Sequence, residues 1–242
     1  MFGTIAWGSA TAKGGFQNER DVAIKFNNWK YDNEVRQWLT AMSYDWDSIV
    51  DVSAQALSVH KGKKIDVTVS ITMKDGTKQI ENISLKKVKR GADYNQVDKR
   101  WVREYKTMWN LSDSMIKGLK MFTGDDYKRV YLNQLPTNLK NEIIEFFLKN
   151  KERVVHDLVK GVQKPQSDWV LVTIKNGKTE WILRDIESAL KIFATGDVHI
   201  TKKGNLLIGR IVMQRKGGDS GRPTANMLQF KIHPTDLVED VI

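Results

Sequence analysis

An aspartate, a serine and a lysine lie in two neighbouring segments whose residues alternate between apolar and polar. Asp66 belongs to 64–73, and Ser84 and Lys86 belong to 79–88. This period of two predicts strands, and it puts all three side chains on the polar faces. A carboxylate can hold Mg²⁺, a cation that prefers oxygen ligands, and a nearby ammonium can orient a nucleophilic water. These residue types suit the hydrolysis of a phosphodiester bond.

The turn between the two strands decides whether these side chains meet. Asp75-Gly76 is a strong hairpin signal, but a two-residue turn there would pair apolar with polar positions. A three-residue loop, with glycine supplying the positive φ, pairs apolar with apolar. That register predicts Asp66 directly opposite Lys86, with Ser84 one diagonal step away. The carbonyl of Leu85 would then join Asp66 in holding the metal ion.

A surface ion pair across two strands is the alternative for Asp66 and Lys86, and such a pair adds little stability. Glu19 favours the metal site. It falls on the same side of a predicted helix as Phe16 and Phe26, which we expect to be buried. An acid on a buried stripe is costly unless it is paired or bound to metal. Glu19 is therefore either a second metal contact or a member of a buried salt bridge or helix cap.

The elements that would position these residues alternate along the chain, which predicts an α/β (α+β) fold with a mixed central β-sheet flanked by helices. We expect a single compact domain over 1–242. The weak boundary at 162–168 would separate a catalytic core (1–161) from a DNA-recognition region (168–242). Helices are predicted over 17–29, 32–43, 96–109, 138–149, 151–161 and 185–193. Strands are predicted over 64–73, 79–88, 168–175, 178–183, 197–201, 205–214 and 226–232.

Charge is concentrated in two windows of this 242-residue chain, which carries a net charge of +10. Residues 86–106 hold eight Lys or Arg against three acids, and residues 201–222 hold six against one. Basic patches on an otherwise neutral body favour a polyanionic partner, nucleic acid above all. There is no cysteine, which excludes disulfides, thiolate metal sites and cysteine nucleophiles and fits a cytoplasmic protein. Neither a membrane span nor a secretory signal is visible.

The segment 214–226 is polar, glycine-rich and basic, and it lies between two predicted strands. Arg and Lys pair with the O6 and N7 atoms of guanine, and Asp can accept from N4 of cytosine. Spacing alone leaves open which side chains touch bases and which touch phosphates. The residues with the chemistry to read G·C pairs are Gln214, Arg215, Lys216, Asp219, Arg222 and Asn226.

Three other patterns, of a protease, a metal nuclease and a phosphate-binding loop, are disfavoured. Residues 218–221 read Gly-Asp-Ser-Gly, as around the nucleophile of trypsin-like proteases, but the four histidines are scattered and helices are abundant. The same scatter disfavours a histidine-based metal nuclease, and no phosphate-binding P-loop pattern is present.

Four stretches carry a family resemblance. They are TAKGGFQNERDVAIKFNNWK (11–30), KRGADYNQVDKRW (89–101), SDWVLV with WILRDI (167–172 and 181–186) and QRKGGDSGRPTANMLQFKIHPTDL (214–237). On these the chain resembles the HinP1I type of restriction endonuclease, a branch of the PD-(D/E)xK nuclease superfamily. The similarity runs over most of the chain, and the last stretch nearly matches the family pattern throughout.

The resemblance implies roles for the hairpin residues. Asp66 matches the metal-binding aspartate and Lys86 the catalytic lysine. Ser84 departs from the pattern, since the superfamily usually has an acid there and this branch has glutamine. Serine is a weaker metal ligand, so the second metal contact would come through water or from Glu19.

The resemblance also implies how duplex DNA is held. Tyr94 matches an aromatic wedge that inserts between base pairs, and Gln96 matches its polar companion. Two extra residues, Ala92 and Asp93, precede the wedge in this chain. An ordinary loop aromatic packed on the following element is the alternative for Tyr94. The near match at 214–226 implies the family's GCGC site, cut after the first G.

The leading hypothesis is thus a Mg²⁺-dependent type II restriction endonuclease of the bacterial cytoplasm, acting on double-stranded DNA and not on membranes. A cognate DNA methyltransferase would be its functional partner in a restriction–modification system. Two alternatives stay open: a repair nuclease of the same superfamily, and a DNA-binding protein whose catalysis is lost or weakened through Ser84. Both a monomer and a homodimer are compatible with the sequence.

Overall fold

The computed structural model describes residues 3–57, 63–89, 93–217 and 222–239, and the chain divides into two compact units. The first, the mixed-sheet unit, comprises Ser9–Asp93, Val159–Leu190 and Pro234–Ile242. The second, the antiparallel-sheet unit, comprises Met1–Gly8, Tyr94–Leu158 and Lys191–His233. Whether the chain works as one endonuclease domain with 168–242 as its recognition region stays a prediction.

Each unit is built around its own five-stranded sheet. The mixed-sheet unit has the strand order β1-β2-β3-β5-β6, in which only the β3–β5 pair is parallel, and the antiparallel-sheet unit has the order β4-β10-β9-β8-β7. The strands are β1 (Ile49–Ala56), β2 (Val67–Met73), β3 (Lys78–Val88), β4 (Asn95–Arg100), β5 (Trp169–Asn176), β6 (Lys178–Asp185), β7 (Val198–Ile200), β8 (Leu206–Ile208), β9 (Ile211–Arg215) and β10 (Leu228–Ile232).

Helices flank both sheets, so the predicted α+β class with a mixed sheet is confirmed, and a second sheet is added to it. None of the helices in the described ranges is long and apolar enough to cross a membrane. The helices are α1 (Gly3–Asn27), α2 (Asn33–Ala41), α3 (Val102–Trp109), α4 (Asp113–Thr123), α5 (Thr137–Lys149), α6 (Lys151–Val159) and α7 (Ile186–Ala194).

The core of the mixed-sheet unit lies between one face of its sheet and the helices α1 and α2. Alternate residues of β2 are fully buried, as a strand with one core-facing side requires. They pack with Phe26 of α1 and Trp38 of α2, whose rings are 5.3 Å apart. The prediction that Phe16 marks the buried stripe of α1 is wrong, because Phe16 is 43% exposed and the stripe begins at Asn18 and Val22.

Side-chain amides fix α1 to this sheet at two points. The Asn27 amide accepts from the Ala54 N–H at 2.7 Å and donates to the Ala54 carbonyl at 3.0 Å. Ala54 belongs to the edge strand β1, so the amide takes the place of a further strand there. Nine residues earlier in α1, the buried Asn18 side chain accepts from the Thr173 hydroxyl at 2.9 Å. These contacts set the rotation of α1, and with it the direction of Glu19.

The β2–β3 hairpin has the predicted three-residue loop, but it lies one residue earlier in the chain. The Met73 N–H donates to the Thr77 carbonyl, and Gly76 in the loop has φ +85°. Val67 is therefore paired with Ile83, which puts Asp66 beside Ser84 and one diagonal step from Lys86. The predicted Asp66–Lys86 pairing is wrong by two residues. Because a shift of two keeps the side-chain period, apolar faces still pair with apolar faces.

An aromatic cluster forms the core of the antiparallel-sheet unit. Tyr105 and Trp109 of α3 stack at 4.9 Å, and both meet the buried Phe230 of β10 edge-on. The Tyr105 hydroxyl donates to the buried Asp98 carboxylate at 2.6 Å, which also accepts from Arg100. Burial and the Asp98 charge raise the pKa of Tyr105 well above its ordinary value, so the phenol stays a donor.

Several elements differ from the predictions, among them α1, which was predicted over 17–29 and spans Gly3–Asn27. The expected helix over 96–109 is a strand, β4, over its first residues and a helix only from Val102, because pairing with β10 satisfies its backbone. The expected strand over 205–214 is broken at Gly209, where φ is +56° and a Cβ would lie 2.5 Å from the Phe193 carbonyl oxygen. The strand β1 and the helix α4 had not been predicted.

Candidate functional site

The candidate catalytic residues gather where β3 runs on beyond its partner β2. The strand β2 begins at Val67, whereas β3 continues to Val88 and pairs there only with β5. The Leu85 N–H, on the side that β2 leaves open, donates instead to Oδ2 of Asp66 at 2.6 Å. The N–H and carbonyl of a strand residue point to the same side. The Leu85 carbonyl therefore faces the open edge as well.

The ammonium of Lys86 lies among oxygen atoms at this edge. Its Nζ is 2.9 Å from the Ser84 hydroxyl, 2.9 Å from the Leu85 carbonyl and 3.9 Å from Oδ2 of Asp66. Ser84 is only 3% exposed, so its hydroxyl is a fixed acceptor in a buried position. The structure thus brings together the four hairpin residues that the sequence singled out: Asp66, Ser84, Leu85 and Lys86.

Glu19 faces the same cluster from the helix α1. Partial burial raises the pKa of Glu19, and so does the neighbouring charge of Asp66, while Lys86 and Arg20 act in the opposite direction. Two carboxylates and one ammonium therefore share a partly buried site. Carboxylates that repel each other in this way gain most from a bound cation.

The donor set fits Mg²⁺. The candidate ligand atoms are all oxygens: the carboxylates of Asp66 and Glu19, the Leu85 carbonyl and the Ser84 hydroxyl. Magnesium prefers such ligands and usually keeps several waters beside one or two carboxylates. Over the ranges that the structure describes, no three His, Cys, Asp or Glu side chains gather as a ready metal cage. A magnesium ion here would rest on Asp66, Glu19, the Leu85 carbonyl and water.

Sequence reasoning missed two polar pairs that hold the ends of this site. Oδ2 of Asp168 accepts from the Asn82 backbone N–H at 2.8 Å and from its side-chain amide at 3.0 Å, which joins the middle of β3 to the residue before β5. The Asn18–Thr173 bond holds α1 one residue before Glu19. The sequence signal for these two pairs was the polar type of their residues, since buried polar groups require hydrogen-bond partners.

In the antiparallel-sheet unit, β4, β9 and β10 place a cluster of polar side chains on one face of the sheet, which also carries Val212 and Leu207. Register pairs Gln214 with Gln229 and Gln229 with Lys99, and the next rung on the same face pairs Lys231 with Gln96. The opposite face carries the buried core. We call Gln96, Lys99, Gln214, Gln229 and Lys231 the polar face. Two of its members had been singled out in the sequence, and the apolar–polar alternation of β10 could have revealed Gln229 and Lys231.

Tyr94 lies at one end of the polar face. Tyr94 is half exposed, and its ring packs against His233 in a tilted arrangement, with ring centroids 3.5 Å apart. Lys216 lies at the other end, where its N–H donates to the Met227 carbonyl. Six residue-to-residue steps of extended strand lead from 227 to 233, which corresponds to roughly 20 Å. The structure therefore does not bring the candidate wedge next to the candidate base-reading segment, and residues 90–92, including Ala92, lie outside the described ranges.

Cations converge at the Lys216 end. Burial lowers the pKa of Lys216, and the charges of Lys99 and Arg222 lower it further. Such a field favours an anionic or hydrogen-bond-accepting ligand. Asp219, which also belongs to the candidate recognition set, lies outside the described residues.

Arg129, which the sequence did not single out, holds the turn that contains Asn226. Its guanidinium donates to the carbonyls of Thr123 and Ala225, each at 2.9 Å, and to Oδ1 of Asn226 at 2.7 Å. Burial lowers the pKa of Arg129, as does the nearby charge of Arg215. The bond to Arg129 uses one acceptor position of the Asn226 oxygen and leaves the amide N–H groups to donate to a ligand.

A cleft of about 570 Å³ opens beside the end of β9 in the same unit. Arg215 and Gln214 line it together with a tyrosine, two lysines and several amides from segments that the sequence analysis did not connect with them. The further lining residues are Tyr131, Asn133, Gln134, Lys202, Lys203, Asn205 and Gly217.

The fold and the family define the class of protein: a restriction endonuclease, and therefore a site-specific DNA nuclease. The crystal structure of the restriction endonuclease MspI in complex with its cognate DNA is similar to this chain, with a TM-score of 0.60 and 15% sequence identity over 86% of this chain and 80% of that chain. The chain belongs to the R.HinP1I restriction endonuclease family, whose model matches residues 42–238. No curated protein matches the sequence.

Proposed function

We propose that this protein is a type II restriction endonuclease that uses Mg²⁺ to hydrolyse double-stranded DNA at GCGC, after the first G. One observation carries the proposal. Asp66, the Leu85 carbonyl and Lys86 meet at the open edge of β3, and Glu19 faces them from α1. A carboxylate pair beside a lysine suits metal-assisted phosphodiester hydrolysis.

We assign metal binding to Asp66, Glu19 and the Leu85 carbonyl. Mg²⁺ bound there would lower the pKa of a water and offset the negative charge that develops on the phosphate. The chain itself contributes Lys86, whose ammonium is held 2.9 Å from the Ser84 hydroxyl and donates to the attacking water or to a phosphate oxygen. Ser84 acts as a positioning residue for this ammonium rather than as a metal ligand.

The serine at position 84 also favours a second function, which is sequence-specific DNA binding with weak or no cleavage. A neutral hydroxyl stands where the superfamily places an acid, so the site has one anionic ligand fewer on the hairpin. Glu19 compensates for that charge in our assignment. The two functions differ in a single measurable respect, which is whether the bound duplex is cut.

We assign recognition to the antiparallel-sheet unit. Gln214, Lys216 and Arg222, with Asp219, would contact G·C base pairs. Asn226, whose oxygen accepts from Arg129, would present its amide N–H groups as donors to O6 or N7 of guanine. This arrangement supports a G·C site.

Tyr94 and Gln96 would form the wedge and its companion at the other end of the polar face. The physical partner is then duplex DNA, with a cognate methyltransferase as the functional partner in the bacterial cytoplasm. The protein would act as a monomer or a homodimer.

The experiment is digestion of a long, sequenced, unmethylated DNA in Mg²⁺, with an EDTA control and a Lys86→Ala control. We expect discrete fragments with ends at GCGC, absent from both controls. Fragments at another sequence would refute the site, and fragments in EDTA would refute the metal requirement. Intact DNA that is nonetheless retarded on a gel would establish the binding protein instead.

A further inference from the structure

Arg215 is held against the ring of Tyr131. Its guanidinium carbon lies 4.0 Å from the ring centroid, and its Nη1 is 3.4 Å from the Val130 carbonyl. A guanidinium over an aromatic face is held by a cation–π interaction and keeps its outer N–H groups free for a ligand. Tyr131 thus serves as a platform for Arg215.

The turn before β8 is fixed against the same tyrosine. A Cβ at Gly204 would lie 2.5 Å from Cβ of Tyr131, so only glycine permits this approach, and the Gly204 φ of +71° also favours glycine. The Gly204 carbonyl accepts from the Leu132 N–H at 3.1 Å. Because Lys202 and Lys203 directly precede this glycine, the contact carries both lysines to the cleft that Arg215 lines.

These three cations face polar neighbours rather than acids. Within the described ranges, neither lysine nor Arg215 forms an ion pair, and both lysines are exposed. The rest of the cleft is lined by the amides of Asn133, Gln134 and Asn205. Convergent cations with amide donors and no acid suit a phosphodiester, whose charge is delocalised over two oxygens.

Strand geometry also separates Arg215 from the base-reading set. Arg215 pairs with the buried Leu228, on the face of the sheet opposite to Gln214 and Gln229. Gln214 is nevertheless part of the lining of the cleft. The cleft therefore borders the polar face without belonging to it.

We propose that Lys202, Lys203 and Arg215, with Tyr131 as platform, form a phosphate clamp for the sugar–phosphate backbone of a DNA strand. Arg215 thereby contacts phosphate and not a base edge. The inference rests on the proposed function only in taking duplex DNA as the ligand. Backbone contacts position a protein on DNA and add affinity without carrying sequence information directly.

The test is equilibrium binding in EDTA, by fluorescence anisotropy, to a duplex containing GCGC and to a duplex of the same composition without it. The variant is Lys202→Ala/Lys203→Ala, and the matched control is Lys117→Ala/Lys149→Ala, which removes the same charge from α4 and α5 of the same unit. Each phosphate contact contributes about 0.9 to the slope of log K against log salt. We expect the variant's slope to be smaller by about 2, so that between about 50 and 200 mM salt it loses roughly tenfold less affinity than the unmodified protein.

The loss of affinity should be equal on the two duplexes, so their ratio of binding constants stays unchanged. Arg215→Ala should behave in the same way, and Tyr131→Phe should retain the full slope. A loss confined to the GCGC duplex would mean base reading and would overturn the clamp. An unchanged slope, or an equal change in the control, would overturn it too. Digestion by the unmodified protein is a separate result: failure to cut, with the slope change present, would refute the nuclease and leave the clamp.

Discussion

Asp66 has two separable tasks, and two substitutions distinguish them. Its Oδ2 accepts the Leu85 N–H at 2.6 Å, in place of the strand partner that β2 no longer provides. In our proposal the same carboxylate also binds Mg²⁺. Asp66→Asn keeps an acceptor for the N–H but loses the charge, whereas Asp66→Ala loses both. We therefore predict that both variants lose cleavage and that only the alanine variant loses much stability.

The magnitude follows from the burial of Leu85, which is 8% exposed. Leaving a buried backbone N–H without an acceptor costs about 1–3 kcal/mol. A loss of about 2 kcal/mol corresponds to a Tm lower by about 4–8 °C in a chain of this size. Asp66→Asn breaks only the 3.9 Å ion pair with Lys86, which is partly exposed and contributes at most about 1 kcal/mol.

The assay is thermal unfolding of the three proteins with EDTA and with Mg²⁺, beside a cleavage assay. Mg²⁺ at about 100 times its Kd would stabilise the unmodified protein by about 2.7 kcal/mol and should stabilise neither variant. An Asp66→Asn protein that unfolds as early as Asp66→Ala would refute the role of the Leu85 bond. A normal Mg²⁺ shift in Asp66→Asn, or cleavage by it, would refute the metal assignment.

Three further predictions concern single side chains. Lys86→Ala should abolish cleavage while duplex binding in EDTA changes less than about threefold, since its ammonium acts in catalysis; retained cleavage would contradict the site. Glu19→Gln should unfold at a higher temperature than the unmodified protein in EDTA near neutral pH. Because the pKa of Glu19 is raised in the folded protein, the stability of the unmodified protein falls as the pH rises through that pKa. The difference in unfolding temperature should therefore vanish in acid, and a difference that is constant with pH would contradict the assignment. Asn226→Asp should keep the bond to Arg129 and the stability of the fold but weaken binding to GCGC by about 1–3 kcal/mol, measured by anisotropy; an equal loss on a duplex without GCGC would contradict base contact.

The strands β1 and β4 were not predicted, and the pairing of each contains a shift in register. Pairing of β1 with β2 shifts register between Ile49 and Asp51, and pairing of β10 with β4 shifts between Phe230 and Lys231. A bulge inserts one residue and so reverses the alternation that marks a strand in sequence. Residues 95–100 could therefore be misread as the start of a helix, whereas the regular β2–β3 and β5–β6 hairpins were predicted.

The helix α4 is a different case, because its signals were present. Ser112 caps it by accepting the Met115 N–H at 3.1 Å, and Gly124 ends it with φ +85°. Serine before and glycine after an amphipathic stretch are the usual boundary signals. A reading based on caps would have found this helix.

In the candidate sites too, contacts within one hairpin could be predicted from the sequence, whereas contacts between distant segments could not. The meeting of Asp66 with Ser84 and Lys86 followed from alternation and from the glycine in the loop, even though the register was wrong by two residues. The Arg129–Asn226 bond and the Tyr131–Arg215 stack join residues far apart in sequence. No periodicity encodes such pairs, since they depend on where whole elements dock.

Ser84 is best understood through the charges around it. The site holds two carboxylates, Asp66 and Glu19, against the single ammonium of Lys86. At a position only 3% exposed, a third carboxylate would add a buried charge beside the single ammonium of Lys86, and such a charge costs several kcal/mol unless a cation neutralises it. A hydroxyl avoids this cost and still accepts from the ammonium at 2.9 Å. Serine at this position therefore favours a site that folds without a bound metal ion, and in our proposal a bound Mg²⁺ depends more on Glu19 than it would in a site with three acids.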